Sequence, residues 1–279
     1  MKRAVVFTAV LAFAAAGCKK NEDAGFLVGQ GVGSDARLTS DAYTWDCSDF
    51  GSYDWMGVLG FDITLEFVPD SLPPRDLPAP GSCAYGLSMF AKDALVSGTS
   101  IPDSSDSPGW RTIADEGYLD PVLDGLWIAD VFDNVLSCSP VGDIIAGGVQ
   151  LYDAGALDGT TSPVAGEVVD VNVTDGSWGS GIPFGEDLDV TWEASGWDET
   201  FVQVRRERIG VAIETITCNT TGVSEFQVTS ETWDLFDDTI DVDHNFLYVG
   251  FQNVDTIEND YGHGIEVASR ALHAVGLSD

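Results

Sequence analysis

The sequence predicts an all-β protein made of one or two antiparallel β-sandwich domains. Short apolar segments are interrupted by Gly, Pro, Asp and Ser through most of the chain, which is typical of strands joined by turns. Residues 61–67 alternate strictly between apolar and polar side chains, and turn-forming residues recur about every ten residues after Gly166. Hydrophobic residues make up 44% of the chain and aromatic residues 10%. This is enough apolar surface to form a packed core despite the high charge.

The clearest single strand lies in the first half of the chain. Alternation over residues 61–67 places Phe61, Ile63, Leu65 and Phe67 on one face of a strand, which we expect to be buried. Residues 69–80 contain five prolines and therefore cannot form a helix or a central strand. Further strands are predicted in this half at 83–90, 126–131 and 144–152.

Residues 166–279 have the more regular pattern, and we predict that they form a separate domain. The preceding domain is predicted to cover residues 45–165. Seven short strands with polar turns are predicted, at residues 167–174, 187–193, 200–208, 211–218, 224–232, 245–252 and 264–275. This pattern resembles the immunoglobulin-like modules of exported bacterial proteins, which implies a seven-stranded sandwich. Alternation within residues 188–192 predicts that Trp192 lies in the core.

The first eighteen residues have the features of an export signal. Lys2 and Arg3 precede an apolar run over residues 4–16, small residues follow, and Cys18 comes next. The run is shorter than the roughly 20 apolar residues that a membrane-spanning helix needs. This segment resembles a bacterial lipoprotein signal, although Ala15 stands where that family usually has Leu. The resemblance implies a signal peptide over residues 1–17 and lipid attachment at Cys18. Cleavage by an ordinary signal peptidase after residues 14–16 is the alternative.

Lipid attachment at Cys18 would place the protein in the cell envelope, anchored to a membrane by acyl chains. We expect the outer membrane, on its periplasmic or its surface side. Residues 18–44 are rich in glycine and lack periodicity, so they are predicted to form a flexible tether between the anchor and the folded body.

The chain has five cysteines, an odd number that lipidation of Cys18 would explain. The remaining four, Cys47, Cys83, Cys138 and Cys218, could then form two disulfides in an oxidising compartment. Three connectivities are possible, and the sequence does not choose among them. No two cysteines have the CxxC spacing of zinc sites or thioredoxin-like redox motifs.

The charge excludes one large class of partners. The formal net charge is −34, and 33 of the 46 acidic residues are Asp. Such a chain repels nucleic acids and anionic lipid surfaces, so no nucleic-acid partner is predicted. Adaptation to a salty medium or simple solubility explains the charge better than calcium binding, because the carboxylates are spread along the whole chain.

No cofactor or catalytic residue is predicted, and calcium remains an alternative. Asp241, Asp243 and Asn245 occupy the first, third and fifth positions of a calcium loop. Phe246 stands where that loop needs its glycine, and position twelve is Gln252. An acidic hairpin loop is therefore the preferred interpretation. The chain has three histidines and contains no HExxH, GxSxG or phosphate-loop pattern.

The predicted function is that of a surface-anchored structural or binding module whose protein or carbohydrate ligand is unidentified. Carbohydrate binding and calcium-dependent adhesion are the alternatives, and a hydrolase is a more distant one. Among the eight tryptophans, those beside a glycine are the ones expected to be exposed, namely Trp110, Trp178 and Trp197. Arg205, Arg206 and Arg208 share one predicted strand, where cross-strand pairing with carboxylates such as Glu214 is preferred over binding of an anion.

Overall fold

The structure is a computed structural model that describes the chain in separate segments. These are residues 35–46, 56–68, 77–87, 107–113, 115–123, 126–130, 139–140, 148–154, 157–174, 182–183, 185–208, 211–236, 244–258 and 264–278. The signal segment and several predicted sites lie outside the described residues, namely Cys18, Cys47, Cys138, Trp178, Asp241 and Asp243. Among the described residues, no helix is both long and apolar enough to cross a bilayer.

Strands dominate the described part of the chain. The strands of its first half are β1 (Asp35–Asp46), β2 (Met56–Val68), β3 (Cys83–Leu87), β4 (Gly109–Arg111), β5 (Glu116–Tyr118), β6 (Asp120–Leu123), β7 (Leu126–Asp130), β8 (Ser139–Pro140) and β9 (Gln150–Tyr152). Those of the second half are β10 (Glu167–Val173), β11 (Ile182–Pro183), β12 (Leu188–Ser195), β13 (Glu199–Arg208), β14 (Val211–Asn219), β15 (Glu225–Val228), β16 (His244–Glu258) and β17 (Gly264–Ser278). One short helix, α1 (Ser230–Trp233), follows β15.

These strands form three sheets, so the predicted all-β class is confirmed. The main sheet has 11 strands, with the central order β3-β14-β13-β16-β17-β1-β2-β7-β6. β8 and β11 pair with β2 and β17 at its margins. The two smaller sheets have three strands each, in the orders β10-β12-β15 and β5-β4-β9. Most pairs are antiparallel, as expected, but β1 and β11 both run parallel to β17.

The predicted tether is wrong over residues 35–44, because these residues form most of β1. β1 lies inside the main sheet between β17 and β2, and Leu38 and Ala42 are fully buried. The main sheet therefore contains strands from the predicted tether and from both predicted domains. The division into two domains at residues 165 and 166 stays a prediction.

The predicted strands agree with the structure in position more closely than in length. β2 confirms the strand over residues 61–67, and Phe61, Ile63 and Leu65 are fully buried. β3 and β7 lie within their predicted ranges, and β9 covers residues 150–152 of the range 144–152, of which residues 144–147 lie outside the described residues. All seven strands predicted after residue 166 are present. The fifth prediction is wrong at its end, because residues 230–232 belong to α1.

A continuous apolar core fills the space between the main sheet and the sheet β10-β12-β15. Val249 and Phe251 of the main sheet and Val171, Val190 and Trp192 of the smaller sheet belong to one buried cluster. Trp192 is 7% exposed, which confirms its predicted place in the core. The exposure expected for Trp110 is wrong. Its side chain is 5% exposed, because it projects from β4 into the same core.

A disulfide links Cys83 of β3 to Cys218 of β14. The two cysteines are register partners in neighbouring antiparallel strands, so the bond fastens the edge strand β3 to the main sheet. Of the four cysteines predicted to pair, these are the two whose bond the structure describes. The second predicted disulfide would involve Cys47 and Cys138, which lie outside the described residues.

Candidate functional site

A cleft of about 430 Å³ opens where two turns of the second half of the chain meet. We call it the tryptophan cleft. It is lined by Trp192, Glu193, Ala194, Ser195, Trp197, Thr200, Val223 and Ser224. Its volume falls within the range of about 300–1,000 Å³ that is typical of small-ligand sites.

Trp197 lines the cleft beside the buried Trp192, and both indole rings rest on one buried phenylalanine. The ring centroid of Trp192 lies 6.4 Å from that of Phe251 in an edge-to-face arrangement. The ring of Trp197 lies 6.1 Å from Phe251 at a tilt of 39°. Its indole N–H donates a 3.1 Å hydrogen bond to the carbonyl of Glu167. Trp197, which was expected to be exposed, is therefore half-buried and held in a fixed orientation.

The turn between β12 and β13 carries Trp197 and is held by a buried amide. The side chain of Asn253 donates hydrogen bonds to the carbonyls of Val164, at 2.7 Å, and Gly196, at 3.0 Å. Its carbonyl oxygen accepts a 2.7 Å hydrogen bond from the backbone N–H of Asp198. Gly196 has φ of +76°, a conformation that glycine adopts without a steric penalty. The turn is therefore fixed on both sides of Trp197.

The turn between β14 and β15 forms the opposite wall. The backbone N–H of Thr220 donates to the carbonyl of Thr200, at 2.9 Å, and the two threonine hydroxyls lie 3.1 Å apart. The backbone N–H of Trp192 donates a 3.0 Å hydrogen bond to the carbonyl of Ser224. Val223 stands at the rim with 52% of its surface exposed. Hydrogen bonds within the protein therefore hold both walls of the cleft in place without a ligand.

The chemistry of the lining is that of a binding site with one charge. Trp197 and Val223 provide apolar surface, because Trp192 is only 7% exposed, while Ser195, Thr200 and Ser224 provide hydroxyl groups. Among the described residues that line the cleft, Glu193 alone carries a titratable side chain. This set can stack against an apolar ring and hydrogen-bond its substituents.

The expected pairing of Arg206 is confirmed. Its guanidinium lies 2.9 Å from the carboxylate of Glu214, which is fully buried and is its register partner across β13 and β14. Arg206 also lies over the ring of Phe236, 5.3 Å from its centroid. The neighbouring Arg205 points to the other face of the main sheet, where it lies over Tyr248 at 4.1 Å.

That other face carries a network of charged and phenolic side chains on adjacent strands. Arg270 is bound to both carboxylate oxygens of Asp41, at 2.6 and 2.5 Å, and Arg37 to Glu266 at 2.6 Å. Burial, with the carboxylates of Asp41 and Asp62, raises the pKa of the Tyr43 phenol far above its ordinary value.

Two further groups on this face have shifted acidities. Burial raises the pKa of the Tyr248 phenol and the pKa of the Glu207 carboxyl. Perturbed acidities can mark functional sites, but ion-pair networks produce them too. The arginines of this face are engaged by neighbouring side chains, so we interpret the network as structural.

The described residues contain no group of three or more His, Cys, Asp or Glu side chains placed to hold a metal ion. Of the three residues in the calcium alternative, Asn245 alone is described. It is 5% exposed and faces the inside of the fold as the register partner of Arg206. Asn245 is therefore placed as a core residue of β16.

Sequence reasoning did not find the tryptophan cleft. The sequence places Trp192 in the core and Trp197 at the surface, and it predicts no binding role for Thr200, Val223 and Ser224. The signal available in the sequence was the Trp-Glu-Ala-Ser-Gly-Trp segment of residues 192–197, with two tryptophans on either side of a Ser-Gly turn.

Neither the comparison with protein-family models nor that with curated proteins gives a match for this chain. Its function is therefore inferred from its own residues and their arrangement.

Proposed function

We propose that this protein is a lipid-anchored binding module of the bacterial cell envelope whose ligand occupies the tryptophan cleft. The observation that carries the proposal is the cleft itself, in which the fixed indole of Trp197 lies beside hydroxyl groups, between turns that are already hydrogen-bonded. A preformed site avoids much of the ordering cost that binding otherwise incurs.

The strand order supports an immunoglobulin-like module as the frame of this site. Of the seven strands predicted after residue 166, the first, second and fifth share one sheet, as β10-β12-β15. The third, sixth and seventh are neighbours in the main sheet, with the fourth beside the third. In immunoglobulin-like sandwiches strands A, B and E likewise lie opposite strands C, F and G, and variable domains add strand C′ to the second sheet.

The proposed lipid anchor is inferred from the sequence. Cys18 follows a basic start and a short apolar run, and acyl chains on one cysteine hold a protein stably at a membrane when two or more are present. The outer membrane is the proposed location, on its periplasmic or surface side.

A carbohydrate is the ligand class that the cleft favours. A sugar ring has an apolar C–H face that can pack on an indole, and hydroxyl groups that can bond Ser195, Thr200 and Ser224. The proposal includes no catalytic activity, because among the described residues that line the cleft Glu193 stands without a histidine or a second carboxylate to complete an acid–base pair.

Tryptophan fluorescence tests the cleft. Titration of the exported chain with a panel of neutral oligosaccharides is expected to shift the emission, and Trp197→Ala is expected to abolish the shift. Val169→Ala is the control, because Val169 is exposed on β10 and does not line the cleft. An unchanged emission throughout the panel, or equal effects of both variants, would contradict the proposal.

Mass spectrometry tests the anchor. The intact mass of the chain purified from membranes is expected to show cleavage before Cys18 and added acyl chains. Cys18→Ser is expected to release the protein from the membrane fraction. An unmodified mature chain in that fraction would contradict lipidation.

A further inference from the structure

We propose that the outward face of the small sheet β5-β4-β9 is a second binding surface, and that it binds a neutral polysaccharide. We call this surface the tyrosine face. It consists of Arg111, Glu116, Tyr118, Gln150 and Tyr152, with Gly109 at its centre. It belongs to a different sheet from the tryptophan cleft and does not depend on the function proposed for that cleft.

The register of the three strands separates the two faces of this sheet. Trp110 of β4 lies opposite Gly117 and Leu151, and Trp110 and Leu151 are buried in the core. Neighbouring residues of a strand point to opposite sides. The flanking rows therefore point outward, with Gly109 between Tyr118 and Tyr152 in one row.

The missing side chain of Gly109 sets the position of Tyr152. A Cβ atom at residue 109 would lie 2.3 Å from Cε2 of Tyr152, so the phenol ring occupies the space where that side chain would stand. The hydroxyl of Tyr152 donates a 3.2 Å hydrogen bond to the carbonyl of Gly117. Tyr152 is therefore held across the sheet, over the central strand.

Tyr118 completes the aromatic row and faces solvent. It is 57% exposed, and its ring centroid lies 6.0 Å from that of Tyr152 at an angle of 62°. Large aromatic side chains are normally buried. Two of them in contact on the outside of a sheet therefore indicate a surface that a ligand covers.

The second outward row is polar and lies directly beside the tyrosines. Arg111 of β4 lies between Glu116 and Gln150, and its Nε donates a 2.8 Å hydrogen bond to Oε1 of Gln150. This contact orients the planar guanidinium, which carries five donors. The row offers donors from Arg111 and acceptors from Glu116 at one edge of the aromatic surface.

These two rows fit a sugar better than they fit a purely apolar partner. The C–H face of a pyranose can pack on a tyrosine ring, while its hydroxyls reach the guanidinium and the carboxylate next to it. The chain's net charge of −34 opposes an anionic polymer. A neutral polysaccharide does not meet this repulsion, and its hydroxyls can hydrogen-bond the charged groups that it covers.

Electrophoresis of the full exported chain in gels containing a soluble neutral polysaccharide tests the proposal. The probes are a β-glucan, a xylan and a galactomannan, with anionic polygalacturonate as the comparison. At least one neutral polymer is expected to retard the chain, and polygalacturonate is not. Tyr118→Ala is expected to weaken retardation by about ten-fold in affinity, the equivalent of one lost aromatic contact.

Matched variants keep the result interpretable. Tyr118→Phe retains the ring and is expected to bind nearly as well as the original chain. Ile113→Ala removes an apolar side chain that is 78% exposed in the turn after β4, outside the tyrosine face, and is expected to have no effect. Thermal melting of each variant confirms that it is folded.

The outcomes separate the two sites. Retardation by no neutral polymer overturns the proposal and would favour a protein as the occupant of this face. Equal losses for Ile113→Ala and Tyr118→Ala also overturn it, because they indicate general adsorption. In the Trp197→Ala background, which removes the indole of the tryptophan cleft, Tyr118→Ala is expected to weaken retardation as much as in the original chain. Binding at the tyrosine face is thereby measured apart from any carbohydrate held in the tryptophan cleft.

Discussion

The guanidinium of Arg206 lies 2.9 Å from the carboxylate of Glu214, and both side chains face the inside of the fold. The other carboxylate oxygen of Glu214 accepts a 2.8 Å hydrogen bond from the hydroxyl of Tyr85. Removing one partner of a buried ion pair lowers the free energy of unfolding far more than replacing both by apolar residues, because the remaining charge stays buried without a partner.

Glu214→Ala is therefore expected to lower the free energy of unfolding by about 3–5 kcal/mol. The double variant Arg206→Met with Glu214→Leu is expected to recover most of this loss, since apolar residues of similar volume can replace a buried pair. Urea denaturation at constant pH and salt measures both. A double variant less stable than Glu214→Ala would contradict this account.

The disulfide between Cys83 and Cys218 closes a loop with a sequence separation of 135 residues. Replacing both cysteines by serine is expected to lower the free energy of unfolding by about 2–5 kcal/mol, chiefly because the unfolded chain gains conformational entropy. Denaturation with and without reductant provides the measurement. If the oxidised original chain and the double variant unfold at the same urea concentration, the bond contributes nothing to stability.

Gly250 of β16 is the register partner of the buried Phe201 on β13. A Cβ atom at Gly250 would lie 2.1 Å from Cζ of that ring. Gly250→Ala is expected to lower the free energy of unfolding by about 1–3 kcal/mol, because the added methyl group overpacks the core. In the double variant Gly250→Ala with Phe201→Leu, the loss in free energy of unfolding is expected to be smaller than the sum of the losses in the two single variants. Gly276→Ala is the control, because nothing lies within 4 Å of its added Cβ. If Gly250→Ala and Gly276→Ala lower the free energy of unfolding equally, the steric argument is contradicted.

Glu207 gives the fold a pH dependence of defined sign. Burial raises its pKa above the ordinary 4.5, and Arg205 and His244 oppose this only in part. A raised folded pKa contributes stability that is present below pH 4.5 and is lost as the pH rises through the folded value. Glu207→Gln is therefore expected to raise Tm relative to the original chain at pH 8 but not at pH 4. Thermal melts at both values test this, with the exposed Glu225→Gln as control. A lower Tm for Glu207→Gln at pH 8 would contradict it.

Local periodicity predicted the strands whose inward positions are apolar. In β2 and β12 every second residue is apolar, and both strands were predicted close to their observed positions. β1 was missed because its inward positions include Ser40 and Thr44, while the buried Arg37 lies on its other face. Two carboxylates accompany the buried Arg37, that of Glu266 at 2.6 Å, 229 residues away, and that of Glu66 at 3.8 Å on the neighbouring strand. No window of neighbouring residues contains that information.

The candidate sites were harder to predict for a related reason. Both require residues from turns or strands that are distant in sequence, such as Trp197 with Val223, or Tyr118 with Tyr152. A glycine beside a tryptophan was interpreted as a sign of exposure. At Trp110 the neighbouring Gly109 instead leaves space for Tyr152 on the opposite face.

The parallel pairing of β1 with β17 determines the order in which the fold can be completed. β1 can pair with β2 as soon as residue 68 has emerged, but its other edge needs residues 265–273. During synthesis, one edge of β1 therefore stays unpaired until residues 265–273 have been made. Contacts between such distant residues slow folding. The main sheet is therefore completed late, by one of the last segments of the chain to pair.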